Sequence, residues 1–207
     1  MKIRADFGAI LLLTSIILSS GITYAAIYVF CAAAHEAGHL FAARVMKIRI
    51  REMNFDIAGA KIIPTSQIQS YGKEFLLCAA GPVASMLTCV IACFTCKFSY
   101  SAIGLEGIIF LITKEESPIS AVVLFSLSQA IINLIPIDGF DGSSMLGAIV
   151  AYLFGERTKN TVLLVLSFVF ALILWMASVY FLLKVGQGLS LFSFSICMFL
   201  KILENEK

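Results

Sequence analysis

Ala32 to Met46, AAAHEAGHLFAARVM, closes an apolar run that begins near Ile22. It sets His35, Glu36 and His39 among small apolar residues. The spacing H-E-x-x-H places two imidazoles four residues apart, on one face of a helix and one turn above the other. Such a face can offer a zinc ion two nitrogens, with Glu36 set to work as a base on nearby water. These are the only two histidines in the chain. Ionisable groups at membrane depth are costly, so their presence inside an apolar helix marks a functional site.

The surrounding composition fixes the solvent. The chain has 207 residues, 60% of them hydrophobic and 14% charged, and a mean hydropathy of +0.97. A water-soluble domain of this size could not hide so much apolar surface, so the lipid bilayer is the first partner. A net charge of +2, without a basic patch carrying interleaved aromatics, excludes nucleic acid. Six cysteines (Cys31, Cys78, Cys89, Cys93, Cys96 and Cys197) fall in or beside apolar runs. Cys89, Cys93 and Cys96 share a helical face but read as small packing residues rather than a thiolate metal site.

Spans follow from the runs. Met1 to Ala25 has the outline of a signal peptide, but Asp6 is foreign to one, and the segment after it is itself membrane-spanning. A retained first helix over about 5–19 is the expectation, then the metal-motif helix over about 22–46. Lys47 to Lys73 is polar, and IREMNFDI and AKIIP read as two short strands of a surface hairpin around Ala58-Gly59-Ala60. A third span covers about 75–96 and carries Gly81-Pro82, a kink and a point of close helix approach. Lys97 to Pro118 is too short to cross. A fourth span runs from Ile119 to Ile137, Met145 to Phe154 cannot cross alone, and Val162 to Leu183 and Leu189 to Leu203 complete six. The fold expected is an all-α polytopic membrane protein, one domain over 1–207, with six transmembrane helices and a small cytoplasmic β-hairpin between helices two and three.

Charge sets the orientation. With six crossings, twelve of the fifteen basic residues fall on the side of the termini and three (Lys97, Lys114, Lys184) on the other. The positive-inside rule then makes both termini cytoplasmic, in a multi-pass protein of the cell membrane. It also brings His39 and the polar end of span four toward the same face. A catalytic zinc generally takes three protein ligands and keeps a fourth position open. With Cys31 the one thiol near the histidines, the third ligand falls to Asp138 or Asp141, each followed by glycine at the end of span four. Residue chemistry alone does not choose between them.

HEAGH in a membrane helix, then AAGPVASML, then N-x-x-P followed by D-G resembles the site-2 protease family of intramembrane zinc metalloproteases. The compact layout, without an obvious PDZ or CBS domain, is most like the sporulation branch represented by stage IV sporulation protein FB. The resemblance implies that His35 and His39 are zinc ligands and Glu36 the general base. The family aspartate lies eight residues beyond the motif asparagine and before a glycine; from Asn133 that count reaches Asp141 and Gly142. Asn133 is implied to orient substrate backbone or a neighbouring helix. The chain departs from the family at Asp138-Gly139-Phe140, which adds a second carboxylate near the metal. The implied activity is hydrolysis of a peptide bond in or beside a substrate's transmembrane segment, with regulatory membrane partners in attendance. Two rivals use the same residues differently, a divalent-metal transporter and a catalytically inactive scaffold. Glu36 speaks against both, because neither needs a base beside ligating histidines.

Overall fold

The computed structural model describes residues 2–5, 7–56, 59–65, 68, 70–95 and 118–185, together with helical positions 192, 194–196, 198 and 199. All but the last residue of the non-crossing stretch Lys97 to Pro118, most of the last span, and Cys96 and Cys197 lie outside the described residues. Strand β1 (Lys2–Ala5) precedes helix α1 (Phe7–Ser20), and helix α2 (Ile22–Val45) follows. Strands β2 (Ile50–Asp56) and β3 (Gly59–Pro64) lead into helix α3 (Tyr71–Thr95). Helices α4 (Pro118–Asn133), α5 (Asp141–Phe154) and α6 (Glu156–Val185) complete the described core.

Among the described residues three helices, α2, α3 and α6, are long and apolar enough to cross a bilayer. At 1.5 Å per residue, α2 spans about 36 Å against a hydrocarbon core of about 30 Å. Its alanine-rich interior favours helix, and its end comes without glycine. Lys47 takes a left-handed conformation at φ 58°, while the amides of Met46, Lys47 and Ile48 bond the carbonyls of Ala42, Arg44 and Ala43. Those three bonds close the last turn and offset the modest cost of a side chain at positive φ.

Helix α3 is the central post, packed against α2, α4 and α5. It meets α2 where both surfaces are small. A Cβ added at Gly38 would strike the carbonyl of Ala80 and lie 2.6 Å from the Cβ of Ala84. Nothing larger than hydrogen fits at Gly38, so the two backbones touch, as small residues allow in lipid. Gly81-Pro82, where a kink is expected, is buried within α3, and the helix continues past it.

Helices α4 and α5 are 16 and 14 residues long, about 24 and 21 Å, and neither alone matches the hydrocarbon thickness. They follow one another in the same sense along the bundle. Pro118 shares a cavity wall with Ile22 and Ile27, Ser126 bonds Cys31, and the chain then reaches Asp141 beside His35. From there α5 climbs to Tyr152, whose ring meets that of Tyr71 at 6.5 Å. The two short helices therefore run on in one direction, with the break between them at the histidines. Irregular backbone is tolerated at that depth only inside protein. Ile137 and Phe140 are accordingly buried against Ala171 and Met198, and the amide of Asp138 donates to Ser167 Oγ at 2.9 Å. Gly139, at φ 98°, makes the sharp step before α5.

Three expectations change here. Asp141 is not the tail of span four but the first residue of α5, because the helix stops at Asn133 and the loop intervenes. The hairpin at 50–64 gains a third strand: β1 pairs in parallel with β2, Lys2 opposite Glu52 and Ala5 opposite Phe55. β2 and β3 pair antiparallel as the sequence suggests, Met53 opposite Ile62. Helix α6 also begins at Glu156, more than a turn before the expected Val162, because Gly155 at φ 86° releases α5 straight into it.

Candidate metal centre

His35 and His39 lie on the face of α2 that turns toward α3, 2% and 4% exposed. Asp141 reaches them from the start of α5. Its Oδ2 is 3.0 Å from His35 Nε2 and 3.3 Å from His39 Nε2, and the two Nε2 atoms are 3.3 Å apart. Ligands held at about 2.0–2.1 Å from a tetrahedral zinc stand about 3.3 Å from one another. The three donor atoms make a triangle of that size, with a circumradius of about 1.9 Å by the same distances. The three atoms are therefore spaced as ligands that could hold an ion of zinc's bond length.

Each ring is aimed by a second bond. His39 Nδ1 is 2.8 Å from the carbonyl of Leu77, which can only accept, so Nδ1 carries the proton and Nε2 keeps its lone pair. His35 Nδ1 is 2.8 Å from Ser85 Oγ. Across from both Nε2 atoms stands Gly81. A Cβ there would strike His39 Nε2 and lie 2.6 Å from His35 Nε2. The helix thus keeps open, by having no side chain, the space at which both nitrogens point.

Charge points the same way. Glu36 is 6% exposed, interacts electrostatically with His39 and Tyr28, and shares the site with Asp141. Buried carboxylates are expensive unless balanced by positive charge. Among the described residues no lysine or arginine is buried beside them. A divalent cation would supply the missing charge, and the donor set of two imidazoles and one carboxylate suits zinc.

The structure brings together His35, His39 and Asp141 as a group able to hold a metal ion. It separates Asp138, which is outside that group and whose backbone is tied to α6. Asn133 is buried at the end of α4, and its Nδ2 donates to the carbonyl of Gln129 at 3.1 Å. Cys31 faces α4, with its thiol 3.4 Å from Ser126 Oγ and 3.8 Å from the carbonyl of Val122. Ser85 and the carbonyl of Leu77 are site groups that sequence reading missed. Only Ser85 left a trace, a hydroxyl one turn beyond Gly81 on the same face of α3.

No known protein-family model matches the sequence, and no curated protein does. Among solved structures, the whole chain superposes on 92% of the Site-2 Protease from Methanocaldococcus jannaschii, with a TM-score of 0.74 and 19% identity. The chain therefore has the membrane-embedded fold of a site-2 protease.

Proposed function

We propose that this protein is an intramembrane zinc metalloprotease that cuts a peptide bond in or near a transmembrane segment of a membrane-protein substrate. The observation that carries the proposal is the meeting of His35, His39 and Asp141 on helices of an apolar bundle, with Glu36 buried next to the pair. His35 Nε2, His39 Nε2 and Asp141 Oδ2 would hold the ion. Zinc so held supplies Lewis acidity, polarising a carbonyl and acidifying water. Glu36 accepts the proton of the attacking water and delivers it to the leaving amine nitrogen. Asn133, at the end of α4, is assigned to substrate backbone. The α4–α5 pair, read as one interrupted crossing, delivers Asp141 without exposing a loop to lipid.

The reading includes the finer points the sequence suggests: six crossings, cytoplasmic termini, and a part in regulated proteolysis such as that of sporulation. Purified protein should hold close to one zinc per chain, and it should cleave a reconstituted single-span substrate. Stripping the ion with a chelator should abolish cleavage, and added zinc should restore it. A preparation that binds no metal, or moves zinc across vesicles without cutting protein, rejects the reading.

A helical substrate hides its carbonyls, so the cut segment has to be extended first. Strand addition to the small sheet would hold it. With β1 against one side of β2, the free edge of the hairpin itself is β3. Neighbouring residues of a strand point their amides to opposite sides. Of the pair Lys61→Pro and Ile62→Pro, one breaks the ladder with β2 and the other removes an outward donor. The outward one should reduce cleavage about fivefold, the worth of one hydrogen bond, with zinc content unchanged. If neither substitution slows cleavage, β3 does not take the substrate.

A further inference from the structure

We infer that Ser167 is a positioning residue: through the backbone of Asp138 it holds the loop that delivers Asp141 in the register at which Asp141 meets the two histidines. The inference rests on the metalloprotease reading of the site and deepens it.

The three ligands arrive on two supports. His35 and His39 share one face of α2, so a single helix sets their placement relative to each other. Asp141 heads α5, a separate helix, and is delivered by the segment 134–140. Metal–ligand distances tolerate only about 0.2 Å of error, so that segment has to be fixed against the bundle. Part of the hold is apolar: Ile137 and Phe140 are buried with Ala171 of α6 and Met198. Apolar packing is non-directional, and alone it would let the backbone slide along its neighbour. A hydrogen bond is stricter, fixing one atom to within a few tenths of an ångström. The amides of Ile135, Ile137 and Phe140 bond locally, to the carbonyls of Ile132, Ile135 and Ile137. The amide of Asp138 reaches out of the loop instead and donates to Ser167 Oγ at 2.9 Å. Ser167 is 2% exposed, so water does not readily stand in for its hydroxyl.

What Ser167 fixes is passed on to Asp141. Phe140 lies between them, and it donates its N–H to the Ile137 carbonyl at 3.0 Å while its own carbonyl accepts the Ser143 hydroxyl at 2.8 Å. The first turn of α5 is also pressed against the far end of the loop. A Cβ added at Gly142 would strike the carbonyl of Leu134 and lie 2.9 Å from the oxygen of Ile135. A shift at Asp138 therefore carries Asp141 with it instead of being absorbed on the way. Ser178 supplies the comparison. It lies about three turns further along α6 on nearly the same face, about 16 Å from Ser167. It too is buried, with its Oγ 2.9 Å from Ser195 Oγ, but that contact ties α6 to the helical positions at 194–196 and not to the loop.

The test compares Ser167→Ala with Ser178→Ala in the full-length purified protein, by zinc affinity in chelator competition and by thermal unfolding with the chelator in excess. Each substitution removes one buried hydroxyl from α6, and each should lower the metal-free unfolding temperature by about 2–4 °C. Only Ser167→Ala should also weaken zinc binding, by about three- to tenfold, the worth of one hydrogen bond. Ser167→Thr returns the hydroxyl and should bring affinity back to within about twofold of the wild type. If Ser167→Ala does not fold, Ser167→Cys takes its place with the same expectation, since a thiol has nearly the same shape and accepts weakly. Wild-type affinity in the variant that lacks the hydroxyl overturns the assignment, as does a Ser167→Thr that binds no better than Ser167→Ala. An equal loss of affinity in Ser178→Ala overturns it too, because it would mark a general loosening of α6. A wild-type protein that binds no zinc is a different failure: it rejects the metalloprotease reading, and this inference with it.

Discussion

Glu36→Gln is expected to leave zinc bound and to lower the rate of substrate cleavage by about two to four orders of magnitude, the range general acid–base groups contribute. Glutamine has the shape of glutamate, so the face of α2 that carries His35 and His39 keeps its packing. It cannot take a proton from water, and that is the property removed. Because Glu36 is buried, replacing its charge with a neutral amide also removes a desolvation cost, so the fold should not weaken. The three ligand atoms are untouched, and zinc content should stay near that of the wild type. Metal analysis and cleavage of a single-span substrate, measured on the same preparation, give the answer. A transporter using the same ligands would keep its flux after this substitution, and a scaffold would have no cleavage to lose. Retention of a tenth or more of the wild-type cleavage rate would remove Glu36 from the role of base.

The sequence discloses local matters well. The limits of α2, the two strands at 50–64 and the histidine pair are all legible, because each is set by residues close in the chain. The choice between Asp138 and Asp141 is not, and its physical reason is tertiary. Asp138 and Asp141 are three residues apart, both before glycine, but the backbone of Asp138 is tied to α6 by the hydrogen bond from its N–H to Ser167 Oγ, and only Asp141 joins the two histidines. Nothing in the local pattern announces a serine 29 positions downstream. The carbonyl of Leu77 is harder still to foresee, since every residue has one and only the crossing of α2 on α3 selects it. Strand β1 escapes for another reason: four residues before an apolar helix resemble its polar flank until a partner strand is present. The parts that composition does not reveal are the ones that aim the site rather than furnish it.

Gly81 joins the two levels, and replacing it should have the largest effect on metal binding of any single methyl group in the molecule. Gly81→Ala adds one carbon on a helix that favours alanine over glycine by about 1 kcal/mol, so the secondary structure gains from the change. The position that carbon takes is already claimed. It collides with His39 Nε2 and lies 2.6 Å from His35 Nε2, well inside contact distance. Both rings are held from behind, one by Leu77 and the other by Ser85, and neither can retreat without giving up that bond. The methyl therefore fills the space the ion needs, and zinc content should fall from about one per chain to near zero with cleavage below detection. Gly72→Ala is the control, on the same helix with its nearest neighbour Ser70 Oγ at 3.8 Å, and should match the wild type in both. Circular dichroism of Gly81→Ala should still show the helical content of the wild type, which separates an occluded site from a failed fold. Wild-type zinc affinity in Gly81→Ala would mean that the two imidazoles do not face α3 as described, and the metal centre would have to be sought elsewhere.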